Sequence, residues 1–210
     1  MELVNAQIED YAEASTTTSP SDIAELDAAT RETLGHPSML SGPVVGRLLE
    51  TLAWVMQPRL VVEIGTFSGA SALFLAAGMP TSSRLITCEA DPEHAAFART
   101  RLDADPRITL REGPALETIA SIDEPIDLAF VDADKAGYPA YLDALLSKLS
   151  DHGLIVADNM LRDGAVLDGD ADEDTEAICA YNARAASDPA LTSVLLTVRD
   201  GLTLVRKRAC

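Results

Sequence analysis

The chain has 210 residues, 47% hydrophobic and 24% charged, the balance of one globular domain long enough to bury a full core. Its 34 acidic residues against 16 basic ones leave a net charge of −18, which argues against nucleic acid or an anionic membrane as partner, since both are held by basic surface. No apolar run approaches the roughly 18 residues of a membrane span, and the segment from Met1 to Asn5 lacks the basic start and apolar stretch of a secretion signal. A cytoplasmic location is therefore expected, with Cys88, Cys179 and Cys210 as reduced thiols that show no zinc spacing.

Residues 3 to 34 read as two short helices. Leu3, Ala6, Gln7 and Tyr11 stand at helical spacing, the stretch Ser15 to Pro20 breaks the run, and Ser19 or Ser21 can cap the second helix. This segment, 1–37, is expected to lie outside the core, as a lid over a ligand or a contact with a second subunit; His36 before Pro37 closes it. The main domain, 38–210, opens with a loop, and Pro43 starts a helix to about Met56. Val44, Val45, Leu48, Leu49, Leu52 and Val55 give that helix an apolar face, with Trp54 expected to pack.

Arg59 to Gly65 is the first strand, turning through 66–69 into a helix from Ala70 to about Gly78. The two glycines at this strand-to-helix turn, Gly65 and Gly69, let the backbone approach a ligand closely. The second strand, Arg84 to Glu89, closes on an acid, the position at which nucleotide folds hold ribose hydroxyls. A helix from Glu93 to about Leu102, a third strand from Arg107 to Arg111, a short helix after Ala115 and a fourth strand from Asp127 to Val131 follow. A helix from Tyr138 to Leu149 and a fifth strand from His152 to Ala157 complete a strict alternation, which requires a mostly parallel sheet covered on both faces. After an Asp- and Gly-rich loop and a helix from Asp174 to about Ala186, the runs Leu191–Val198 and Leu202–Arg206 read as an antiparallel hairpin around a two-residue turn containing Asp200 and Gly201.

The fourth and fifth strands carry the chemistry. One runs straight into Asp132, Asp134 and Lys135, the other into Asp158 and Asn159. If these strands are parallel neighbours, Asp132, Asp158 and Asn159 converge at the rim where open α/β sheets bind ligands. Three oxygen donors at one spot suit a hard divalent cation, magnesium first, with calcium or manganese as alternatives. Lys135, three residues past Asp132, faces whatever such a cation holds. Strand ends that are merely wet would leave Lys135 and the Asp158–Asn159 pair unexplained together. A nicotinamide-dependent oxidoreductase is disfavoured because the glycine turn lacks the third glycine of the dinucleotide fingerprint; a donor-binding protein without catalysis is the other alternative.

The motifs VEIGTFSGAS (62–71), REGPA (111–115), FVDADK (130–135), the pair Asp158–Asn159 and DGL (200–202) together resemble the cation-dependent, S-adenosylmethionine-using small-molecule O-methyltransferases, the group of catechol and caffeoyl-coenzyme A O-methyltransferases. The resemblance runs from about residue 38 to 206 in the family's order. It implies a single-domain, Rossmann-like class I methyltransferase with a seven-stranded, mostly parallel sheet and extra N-terminal helices. By the same resemblance Asp132, Asp158 and Asn159 would hold the metal, and Lys135 with Asp132 would act in catalysis. Glu63, Gly65 and Ser71 would surround the methionine end of the donor, with Met39 and Ser41 closing over it. Glu89 would take the ribose hydroxyls, Ala115 would lie by the adenine, and Asp132 and Asp134 would contact the donor, Asp134 at its charged amino group. The acceptor implied is a catechol-like or phenolic molecule, or another small molecule with adjacent oxygens such as an acyl thioester, met by a homodimeric enzyme. Where many relatives place an aromatic after the Asp–Asn pair, this chain has Met160, Leu161 and Arg162. Arg162 and Tyr138 are accordingly the candidate acceptor contacts.

Overall fold

The structure is a computed structural model, and it describes residues 5–34, 39–168 and 171–208. Two helices, α1 (Ala6–Ala14) and α2 (Ser21–Thr33), precede α3 (Gly42–Met56). An alternating series follows: β1 (Leu60–Ile64), α4 (Ala70–Gly78), β2 (Arg84–Glu89), α5 (Pro92–Leu102), β3 (Ile108–Glu112), α6 (Ala115–Ala120), β4 (Ile126–Val131), α7 (Tyr138–Lys148) and β5 (Leu149–Ala157). The chain ends with α8 (Glu173–Ser187), β6 (Leu191–Leu196) and β7 (Leu202–Lys207).

The seven strands form one sheet in the order β3-β2-β1-β4-β5-β7-β6. The first five are parallel, and β7 runs antiparallel to both β5 and β6. Alternate residues of each central strand feed opposite layers, as strand geometry requires. Val62 and Ala129 join a core with Ile119, Leu142, Leu145, Ile178 and Tyr181 under α6–α8. Val61 and Leu128 join one with Val45, Leu49, Leu75, Ala95 and Ala98 under α3–α5. The order reverses between β1 and β4, and at such a switch point the connections leave on opposite faces and open a crevice at the carboxyl ends of the strands.

The parallel sheet and the terminal hairpin agree with the sequence reading; several local expectations do not. Trp54 is 67% exposed and Val55 64% exposed. The buried stripe of α3 is Val45, Gly46, Leu49 and Ala53, fixed by close packing of Phe74 of α4 over Gly46, so positions 54 and 55 rotate out to solvent. The N-terminal segment is not all peripheral: Ile23, Leu26 and Thr30 of α2 are buried, and α2 packs against α4. Pro20 holds the α2 cap position without a side-chain hydrogen bond, so neither serine caps it. β5 begins at Leu149 rather than His152, with a register shift against β4. The hairpin turn spans 197–201 instead of two residues, with Arg199 at φ 48° and Gly201 at φ 85°. Leu3, His36, Pro37 and Cys210 lie outside the described residues. Among the described residues no helix is long and apolar enough to cross a membrane.

Candidate active site

Register brings the site together. Ile64 of β1 pairs with Val131 of β4, and Val131 with Ala157 of β5, so Gly65, Asp132 and Asp158 leave the sheet side by side. The Asp132 N–H donates to Ile64 O at 2.8 Å and the Asp158 N–H to Val131 O at 2.9 Å, which fixes both strand ends. Gly65, at φ 94°, lies so close to the Asp132 carbonyl that a Cβ would overlap it. Glycine is needed there for both the positive φ and the approach.

Above this edge opens a cleft of about 1060 Å³. Met39, Ser41, Gly65, Ser71, Glu89, Ala115, Asp132, Asp134, Lys135, Asp158, Asn159 and Arg162 all line it. Two of the residues singled out in the sequence do not. Glu63 is fully buried beneath the cleft, where loss of water pushes its carboxyl up to about 7 against the lowering effect of hydrogen bonds from Thr87 and Ser71. Tyr138 is also fully buried, because α7 begins by tucking its ring against Tyr141 and Tyr181. It supports the site from below instead of forming the acceptor wall.

At the β4–β5 end, Lys135 Nζ donates to Asp132 Oδ1 at 2.9 Å and to Tyr138 Oη at 3.0 Å. The Tyr138 hydroxyl donates a hydrogen bond to the Asp158 backbone carbonyl at 3.0 Å. Burial, then the nearby Asp132 and Asp158 carboxylates, hold the Tyr138 hydroxyl well above its ordinary pKa, so it stays a neutral donor. Asp158 is 5% exposed. Loss of water and the facing Asp132 carboxylate raise its pKa despite the Asn159 N–H at 2.7 Å and the cations Lys135 and Arg199. Asn159 stands at φ 59°, a left-handed conformation that asparagine tolerates, and its side chain bonds Asp200. Among the described residues no three His, Cys, Asp or Glu side chains converge as a metal cluster. The donor set here is instead two facing carboxylates, Asp132 raising the proton affinity of Asp158, plus an amide, and a hard cation is what that set could hold.

At the β1–β2 end, Glu89 Oε2 accepts the N–H groups of Thr66 at 3.2 Å and Phe67 at 2.7 Å, and Oε1 that of Asp91 at 2.9 Å. These bonds bind the acid to the glycine turn and hold it at the cleft. Asp134 accepts from the Tyr141 hydroxyl and from Gly137 N–H at 3.1 Å. Arg162 points back to the start of α8, 3.6 Å from both Asp172 and Asp174, with its Nε buried and unpartnered.

Sequence reasoning missed Phe67, His94, Leu116 and Arg199, all of which line the cleft. Phe67 and His94 meet edge to face at 4.9 Å. Both follow strand ends, a position that signals the cleft; Arg199 carried no such signal, because its place depends on a five-residue turn.

Comparison with known proteins agrees with this geometry. A family model described as O-methyltransferase matches residues 12–208. The chain is similar to the catechol O-methyltransferase of Niastella koreensis, with 34% identity over 81% of this chain and 83% of that one. Its fold matches the SAH-bound Podospora anserina methyltransferase PaMTH1 at a TM-score of 0.90, with 28% identity over 97% and 94% of the two chains. It also matches the Bacillus cereus O-methyltransferase in complex with SAH at 0.87, with 26% identity over 96% and 97%. A nucleotide-type cleft at the switch point, the two carboxylate-ended strands and a match over nearly the whole chain lead to one conclusion: the chain belongs to the O-methyltransferase family, as an S-adenosylmethionine-dependent enzyme.

Proposed function

We propose that the protein transfers the methyl group of S-adenosylmethionine to a hydroxyl of a small catechol-like or phenolic acceptor, with a divalent cation, magnesium foremost, held by Asp132, Asp158 and Asn159. The observation that carries this reading is the pair of facing carboxylates, Asp132 and buried Asp158, set beside the glycine bend of β1 and shared with an amide. A cation held there would supply Lewis-acid chemistry, orienting the acceptor and making its reacting hydroxyl more acidic.

The protein's own groups do the rest. Displacement at a sulfonium methyl is in line, so its rate depends on how firmly the oxygen is aimed. Lys135, held by Asp132 and Tyr138, takes the acceptor proton or balances the charge left behind, and the neutral Tyr138 hydroxyl fixes it from below. Glu89 takes the ribose hydroxyls and Asp134 the donor's ammonium. Ala115 lies by the adenine, while Met39, Ser41, Gly65 and Ser71 enclose the methionine portion. Arg162 contacts the acceptor once it leaves its α8 partners. Glu9 of α1 also lines the cleft, which supports a covering role for the N-terminal helices. The exposed Ile8, Tyr11, Trp54 and Val55 offer apolar surface for a homodimer, and sedimentation velocity that finds only monomer at micromolar concentration would remove that part.

The test is turnover with S-adenosylmethionine and a panel of vicinal diols and matched mono-phenols. Methylation of the diols that stops with chelator and returns with magnesium is the expected result. Turnover indifferent to chelator would refute the cation, and selective methylation of mono-phenols would refute the chelated acceptor.

A further inference from the structure

Arg199 sits at the centre of the hairpin turn with a left-handed backbone, φ 48°, although it is not glycine. A non-glycine residue persists in that conformation when its surroundings over-determine it, and such residues gather at ligand clamps and switch segments. What determines Arg199 is visible. Its guanidinium crosses to the loop before α3, where Nη1 donates to Leu40 O at 3.2 Å and to Ser41 O. It also packs on Gly42 so closely that a Cβ there would strike Nη1 and lie 3.7 Å from Glu13 Oε1 of α1. Among the described residues these are the side-chain hydrogen bonds that tie residues 39–41 to the far side of the cleft. Leu40, Ser41 and Arg199 all line the cleft. One side chain therefore joins two segments that are distant in sequence, the hairpin turn and the loop over the donor half.

We propose that Arg199 is a positioning residue that clamps the Met39–Ser41 loop shut over the bound methyl donor, joining the acceptor side of the cleft to the donor side. This rests on the donor placement given under the proposed function. A guanidinium suits the task because Nη1 alone carries two N–H groups, one for each neighbouring carbonyl, on a planar head that stays charged. Donor entry then requires these bonds to open and donor retention requires them closed, so the loop sets affinity and residence more than chemistry.

The backbone supplies a clean test. Glycine is at ease at φ near 48°, so Arg199→Gly removes the clamp while relieving the turn. In the full-length protein, titration calorimetry with S-adenosylhomocysteine should show affinity reduced about tenfold or more, the loss of two charge-assisted hydrogen bonds. The melting temperature should be unchanged or higher. KM for S-adenosylmethionine should rise by a similar factor with kcat altered by less than about threefold, and Arg199→Lys should recover part of the affinity. Amide hydrogen exchange at Leu40 and Ser41 should be faster in Arg199→Gly than in the parent. Unchanged affinity together with unchanged exchange would overturn the proposal, as would a fall in melting temperature without a change in affinity. A parent protein that does not bind S-adenosylhomocysteine would sink the donor placement, and the exchange rates would still decide whether Arg199 holds the loop.

Discussion

The two ends of the parallel sheet carry the same kinds of residue and treat them in opposite ways. At the amino ends, Asp127 Oδ2 accepts the Arg59 N–H at 2.8 Å and the Leu60 N–H at 3.4 Å. Burial alone would raise its pKa, but these bonds, with Ser150 and the Arg59 charge, bring it below the usual carboxylate range. Lys148 Nζ donates to the carbonyls of Ala120 and Ile122, and Arg84 pairs with Glu124. At the carboxyl ends the acids face one another across less water, and both Asp158 and Glu63 are pushed up. A depression exists at each end, about 670 Å³ at the amino side and about 1060 Å³ at the carboxyl side, so the presence of a hollow does not separate them. Unresolved like charge does. A folded chain keeps facing carboxylates when they have a partner to meet or a proton to manage.

The largest effect should come from breaking the carboxyl end. Asp158→Ala is expected to lower methyl transfer by about three orders of magnitude or more, the scale of the several kcal/mol that a metal site contributes to a transition state. S-adenosylhomocysteine affinity should stay within a few-fold of the parent, because Asp158 leaves β5 whereas the proposed donor contacts come from the loop before α3 and from the ends of β1, β2, β3 and β4. Thermal stability should hold or rise, since the substitution removes a charge that faces Asp132. Initial rates, calorimetry and melting curves check the three parts; a variant that fails to fold would make Asp158 structural and erase the contrast between the ends.

A second effect is read in stability against pH. Glu63 has a pKa of about 7 in the folded protein against 4.5 unfolded. Between those values the folded chain binds more protons than the unfolded one, so stability falls as pH rises through that window and levels off above about 7. The size is up to roughly 3 kcal/mol for this single group. Urea unfolding from pH 4.5 to 8 should show the decline, and Glu63→Gln should flatten it. The difference between the two proteins isolates Glu63 from Asp158, whose raised pKa slopes the same way. Identical slopes would show that Glu63 meets no more resistance to ionisation inside than outside.

Much of this contrast was legible before folding, and the rest had a physical reason to be hidden. Apolar runs stopping at Asp132 and Asp158, and a glycine bend after β1, are local patterns whose convergence follows from parallel pairing alone. Trp54 was misjudged because helical spacing gives an apolar face wider than the stripe that α3 buries, and only the approach of Phe74 to Gly46 selects which part goes inward. Tyr138 follows Lys135 closely enough to suggest an acceptor wall, yet its helix turns it under the site. Arg199 was invisible because its reach to Leu40 spans 159 positions in sequence, and nothing in the stretch from Val198 to Gly201 announces a five-residue turn.

At the amino end the same chemistry should cost stability and leave the reaction alone. Asp127→Asn weakens two backbone hydrogen bonds to a charged acceptor. The expected loss is about 2 kcal/mol, or about 4–8 °C in melting temperature for a chain of this size. Steady-state rates at 25 °C should match the parent. A fall in kcat beyond about twofold would mean that the two ends communicate through β4, and the separation drawn between them would have to be withdrawn.

The smallest effect is expected from Glu124, whose pairing with Arg84 leaves the two side chains 58% and 53% exposed. An ion pair this wet gains little from Coulomb attraction, because water screens it and both side chains lose rotamer freedom to form it. Glu124→Gln should therefore change stability by about 0.5 kcal/mol or less, fading further at high salt. The measurement discriminates because Asp127 and Glu124 are near neighbours of one sign at one end of the sheet, and differ in what accepts them: backbone N–H groups for one, an exposed guanidinium for the other. If Glu124→Gln cost as much as Asp127→Asn, charge balance across the whole amino end would be holding the strands. Asp127's hydrogen bonds would then lose their special place, and the carboxyl end would have to be compared with a field instead of with satisfied contacts.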